Sequence, residues 1–212
     1  MSRLICVAAL FLVMASPAAA QGVYIDLFAG TGETDDTNFA VLGTSRIDTA
    51  FDNTFTYGIA VGYDFGNAWR VEGELTRREA DVDTHRLDGG APIDGSFGEG
   101  NSVSLFANVF YDFETGSSVT PYVGLGVGQI GVDYANFGVP GLDALDDDDD
   151  VLGYQFVAGL AVGIAENWDF RADLRLVEAE DASLTSSAAT NSTSSDVSYS
   201  AYDLTVGVRY RF

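Results

Sequence analysis

The segment at 69–79 reads WRVEGELTRRE and sets Arg70, Glu72 and Glu74 at alternate positions, with Trp69, Val71 and Leu75 opposite them. The same arrangement recurs as Asp169, Arg171, Asp173 and Arg175, and as Asp203, Arg209 and Arg211; Asp26, Asp64 and Asp112 sit singly in apolar runs. Guanidinium and carboxylate groups at this spacing can lock into a salt-bridged plug, with arginine favoured over lysine by its bidentate geometry. Alternatively they can line a narrow conduit. Two other places could carry chemistry. His85, the lone histidine, lies in DVDTHRLDGG. A Ser/His/Asp site needs an oriented base beside its nucleophile. Only Ser102 and Asp81 could approach His85 in space, so it reads as an exposed loop residue. Asp146, Asp147, Asp148, Asp149 and Asp150 form an acidic run in LDALDDDDDV. Carboxylates can ligate a divalent cation, but the run lacks the turn glycine and distal glutamate of an EF-hand. Runs of like charge are usually solvated and mutually repelling.

The charges need elements that position them. A strand sends successive side chains to opposite faces, so each charged segment has one charged and one apolar side. Period-2 alternation with turn punctuation predicts eight strands at 22–30, 54–65, 68–80, 102–113, 119–130, 152–165, 168–178 and 198–212. Their connections alternate without exception. Three are short, at 66–67, 114–118 and 166–167; four are long and polar, at 31–53, 81–101, 131–151 and 179–197. Outer-membrane barrels have short turns on one side and long loops on the other. The expectation is an all-β, eight-stranded, antiparallel up-and-down transmembrane β-barrel, apolar outside and charged within. Trp69, Phe113, Trp168 and Phe212 fall at the short-turn ends, where an interfacial aromatic girdle belongs. Tyr57, Tyr154, Tyr199 and Tyr202 are placed for the outer girdle. In TPYVGLGVG, Val123, Leu125 and Val127 should face out, while Gly124, Gly126 and Gly128 leave room for bulky neighbours across the barrel.

The start of the chain fits an exported protein. Arg3, the apolar run Leu4 to Met14 and Ala18-Ala19-Ala20 form a signal peptide at 1–20, cut before Gln21. Cys6, the single cysteine, leaves with it, so the barrel at 21–212 has no disulfide or thiol chemistry. The chain carries 10 basic residues, all arginine, against 32 acidic ones, a net charge of −22. That excludes nucleic-acid binding, which draws its affinity from basic side chains on phosphates.

The phrases TPYVGLGVG and VGVRYRF resemble the small eight-stranded barrels of bacterial outer membranes, of the OmpA/OmpX and opacity-protein type. That resemblance implies a Gram-negative outer membrane, with lipid and lipopolysaccharide as surroundings. It also implies insertion by the barrel-assembly machinery, which reads a last strand ending on aromatics, here Tyr210 and Phe212. Some barrels of this size trim or acylate lipid A. The deacylase group carries a serine two residues after its histidine, where this chain has Leu87. The expected role is therefore non-enzymatic, structural or in surface recognition through the long loops, as a monomer without cofactor. A cation-preferring or small-solute channel is the alternative, and a lipid A-modifying enzyme the last.

Overall fold

The structure is a computed structural model that describes residues 22–34, 37–41, 45–51, 54–87, 97–139, 142–185 and 194–212. Side chains are described within 22–33, 54–79, 101–131, 150–179 and 200–212. Among these residues there are ten strands and no helix: β1 (Val23–Thr34), β2 (Thr37–Val41), β3 (Ser45–Phe51), β4 (Thr54–Asp64) and β5 (Trp69–Leu87). The second half holds β6 (Phe97–Asp112), β7 (Val119–Val139), β8 (Leu142–Ala165), β9 (Trp168–Thr185) and β10 (Ser194–Arg211). Every ladder is antiparallel, and β1 pairs with both β4 and β10 while β5 pairs with β6. Eight strands therefore close on themselves in the expected up-and-down barrel, with no free edge in the wall.

The strands run further into all four long connections than the sequence reading had them, β1 to Thr34, β5 to Leu87, β6 from Phe97, β7 to Val139, β8 from Leu142, β9 to Thr185 and β10 from Ser194. Two segments also change character. The first long connection contains the hairpin β2–β3, and β3 pairs with the far end of β5, from Ile47↔Leu87 to Phe51↔Val82. His85 thus lies on a strand rather than a loop. The aspartate run also belongs to a strand. Its backbone pairs with β7, Asp147 opposite Tyr134 and Asp150 opposite Gly131. The reason is the same in both places: an extended neighbour offers backbone partners whatever the side chains are. The segment at 1–20 falls outside the described residues.

Burial is inverted relative to a water-soluble barrel. Leu27, Leu125, Ile164 and Leu204 are 53, 68, 61 and 60% exposed on the outer face. Asp26, Glu74, Arg175 and Thr205, one face round on their strands, are completely buried. Apolar surface outside and ionised groups inside is the arrangement a hydrocarbon solvent selects. The aromatic rings form chains at the short-turn end: Trp69, Tyr111 and Phe113 are linked at 5.1 Å, and Trp168, Tyr210 and Phe212 at 4.9 and 5.0 Å. The tight turn between β4 and β5 places Gly66 at φ 70° and Ala68 at φ 69°. A left-handed backbone costs glycine little, which fits Gly66 to its position.

Leu75 faces outward from β5, six residues in from its short-turn end and opposite Ile59 and Leu105. Replacing it with arginine should destabilise the folded barrel by about 2–4 kcal/mol in a bilayer. Urea unfolding in lipid vesicles, with folded and unfolded forms separated by electrophoretic mobility, measures the loss.

Candidate functional site

The inward face of each strand contributes to one polar column running down the barrel. Near the short turns, Arg70 of β5 donates from Nε and Nη2 to Asp112 of β6, at 2.7 and 2.8 Å. Its Nη1 donates to the Tyr24 hydroxyl at 2.9 Å, and that hydroxyl donates to Glu72 Oε2 at 3.0 Å. Arg211 reaches Asp169 at 3.0 Å with its side chain half exposed at the mouth.

One layer further in, Asp26 of β1 accepts both Nε and Nη2 of Arg209, each at 2.9 Å, and also Nη1 of Arg171. Arg171 donates in turn to Asp173, which the Tyr122 hydroxyl also reaches from β7. Arg175 donates to Glu74 at 2.6 Å, and the Thr76 hydroxyl donates to the same carboxylate at 2.7 Å. Asn108 of β6 donates to Glu74 at 3.2 Å, and Gln155 of β8 donates to Asn108 at 2.8 Å. Toward the long-loop end, Arg78 donates to Asp203 at 2.8 Å and to Ser104 at 3.1 Å, while Thr56 of β4 donates to Asp203 at 2.8 Å. Every strand of the wall is tied into this column.

Aromatic rings close the gaps between the ions. The Arg70 guanidinium lies 4.7 Å from the Phe110 ring centre, that of Arg175 lies 4.2 Å from Phe28, and that of Arg209 lies 4.3 Å from Tyr24. Such contacts gain strength where water is excluded. Glycines make the room. Gly62 lies against the Tyr24 ring, Gly124 against Phe110 and Gly159 against Tyr122. The rings they accommodate stand on adjoining or nearby strands, which corrects the expectation of neighbours across the barrel: Phe110 is the direct ladder partner of Gly124.

The structure thus brings ten of the expected lumen charges together inside the wall and leaves Arg211 at the rim. Asp112 joins them through Arg70, while Asp64 caps the turn by accepting the Gly66 N–H at 2.7 Å. Sequence reasoning missed Arg78, although it shares the parity of Arg70, Glu72 and Glu74. It also missed Tyr24 and Tyr122, whose parity with Asp26 and Gly124 was the available signal. Asp146, Asp147, Asp148 and Asp149, and the side chains of His85 and Tyr199, lie outside the described side chains; Asp150 is exposed. Among the described residues no group of three or more His, Cys, Asp or Glu could hold a metal ion. A cavity of about 240 Å³ opens at the short-turn mouth and is walled by Asp64, Asp112, Asp169 and Arg211; Tyr24, Arg70 and Arg209 also line it.

A closed antiparallel barrel with an apolar exterior and a paired ionic core defines a transmembrane β-barrel protein. Residues 5–212 match the family described as outer membrane protein beta-barrel domain, and the chain belongs to that family. Its fold is similar to that of Neisserial surface protein A, at a TM-score of 0.60 and 19% identity over 90% of this chain and 97% of that one. It is likewise similar to OprG from Pseudomonas aeruginosa, at 0.59 and 16% over 91% and 97%. The outer membrane protein AlkL scores 0.57 at 17% identity over 94% of each chain. These likenesses concern the fold. No curated protein sequence matches the chain.

Removing one partner of a buried pair strands the other charge, which typically costs about 3–5 kcal/mol. Arg175→Ala should therefore destabilise the barrel by roughly that amount. Arg77→Ala, which breaks an exposed pair with Glu79, should cost under about 1 kcal/mol. Paired urea titrations of the two variants in the same vesicles check the contrast.

Proposed function

We propose that this protein is a filled, non-conducting barrel of a Gram-negative outer membrane that acts through its external segments in structural or surface recognition. The observation that carries the reading is the column itself. Arg70, Arg78, Arg171 and Arg175 are each no more than 2% exposed, and each is held by a carboxylate. An eight-stranded barrel is just wide enough for side chains to fill it, and ions fixed in such pairs are not free to exchange with a passing solute. The fold shared with a neisserial surface protein supports a surface role, although fold alone does not decide function. Outer-leaflet lipid and lipopolysaccharide surround the barrel in this reading. The assembly machinery inserts it through a last strand ending in Tyr210 and Phe212.

The cavity at the short-turn mouth favours a narrow conduit as the second reading. Against it, the cavity's inner wall is Tyr24, Arg70 and Arg209, all engaged with neighbours. An enzymatic role has less support, because no nucleophile lies beside an oriented base among the described side chains.

The test is single-channel recording of the refolded barrel in a planar bilayer, with Arg70→Ala as companion. The wild type should give no discrete conductance steps, and lipid A incubated with it should keep its mass. Stable cation-selective steps altered by Arg70→Ala would make the lumen a pathway, and a mass change in lipid A would make the protein an enzyme.

A further inference from the structure

Within the column, acids and arginines match with one exception. Asp26 pairs with Arg171 and Arg209, Glu74 with Arg175, Asp112 with Arg70, Asp169 with Arg211, Asp173 with Arg171 and Asp203 with Arg78. Among the described side chains, Glu72 has no arginine at ion-pair distance. It is 2% exposed, its one hydrogen bond comes from the Tyr24 hydroxyl to Oε2, and Oε1 has no partner. The charged groups around it are Asp26 of β1, Glu74 of its own strand, Arg171 and Arg175 of β9 and Arg209 of β10, and Arg70 reaches it through the shared Tyr24 hydroxyl. With Glu72 the column holds seven acids against the six arginines just named, so one negative charge is left without a counter-charge. The adjoining ladder position on β4 is Gly62, which carries no group at all. An isolated carboxylate buried away from water is too costly to persist without a compensating positive charge.

The short-turn cavity comes within one side chain of Glu72. Its lining includes Tyr24, and the hydroxyl of that residue touches Glu72.

We propose that Glu72 is a binding site for one monovalent cation, a proton or an alkali ion. The cation sits on Oε1 and completes the charge balance of the lumen. This holds whether or not the barrel conducts, so the conductance recording and the test below can fail separately.

The experiment uses the refolded full barrel in lipid vesicles, with two readouts on wild type, Glu72→Gln, Glu74→Gln and Tyr24→Phe. One is the infrared carbonyl band of a protonated carboxyl group. The other is the thermal midpoint in sodium chloride against choline chloride at equal ionic strength. A proton at the site gives a protonated-carboxyl band that Glu72→Gln abolishes and Tyr24→Phe shifts. An alkali ion gives a higher midpoint in sodium than in choline, a difference lost in Glu72→Gln and reduced in Tyr24→Phe. In both cases Glu72→Gln, already neutral, unfolds at or above the wild-type midpoint, whereas Glu74→Gln unfolds below it. Absence of both the band and the sodium effect in the wild type overturns the proposal. So does persistence of either in Glu72→Gln, insensitivity of both to Tyr24→Phe, or a fall in the Glu72→Gln midpoint as large as that of Glu74→Gln.

Discussion

The cost of exposing a charge to hydrocarbon governs the whole molecule. Arginine near the bilayer midplane costs about 2–4 kcal/mol on a barrel's lipid face, so a strand carrying Arg70, Glu72 and Glu74 can cross a membrane only with that face turned inward. Once inside, each charge needs a counter-charge, because the narrow lumen has little water to solvate it. The pairs of β5, β9 and β10 follow from this, and so does the use of arginine, whose planar fork engages one carboxylate twice. Arg70 on Asp112 and Arg209 on Asp26 are both bidentate.

Packing meets the same constraint by size. Wherever the wall sends a large ring inward, a glycine nearby gives it space: Tyr24 rests on Gly62, Phe28 on Gly58 and Tyr122 on Gly159. The wall therefore carries its large and small residues in complement. The rings fill the space beside the ion pairs and offer their faces to guanidinium groups. Ionic and aromatic contacts are thus two halves of one filling.

Most of this was legible at the level of faces. The alternation of Trp69, Val71 and Leu75 with Arg70, Glu72 and Glu74 fixes which side meets lipid, and the alternation of short and long connections fixes the topology. Pairing was not legible, because it depends on register. Nothing local says that Arg78 meets Asp203 of β10, 125 residues away, or that Tyr24 meets Glu72, 48 residues away. The β2–β3 hairpin escaped for a different reason. Its apolar residues, Phe39, Val41, Ile47 and Phe51, are too few among polar neighbours to mark strands, and the pairing of β3 with β5 comes from backbone groups that carry no sequence signature. The aspartate run was hidden likewise, since five identical side chains have no period of two.

The seam between β1 and β10 joins the two ends of the described chain. Asp26 and Arg209, which meet there, are 183 residues apart. Bringing such distant segments together carries a loop-closure penalty before any contact rewards it. Until the seam forms, Asp26 lacks Arg209, and the rows of backbone donors and acceptors along both strands stay open. Ring closure and neutralisation of the interior are consequently one cooperative event. A half-wound barrel has little reason to persist in the membrane, because its unpaired edge and its uncompensated ions are resolved only by the same final step.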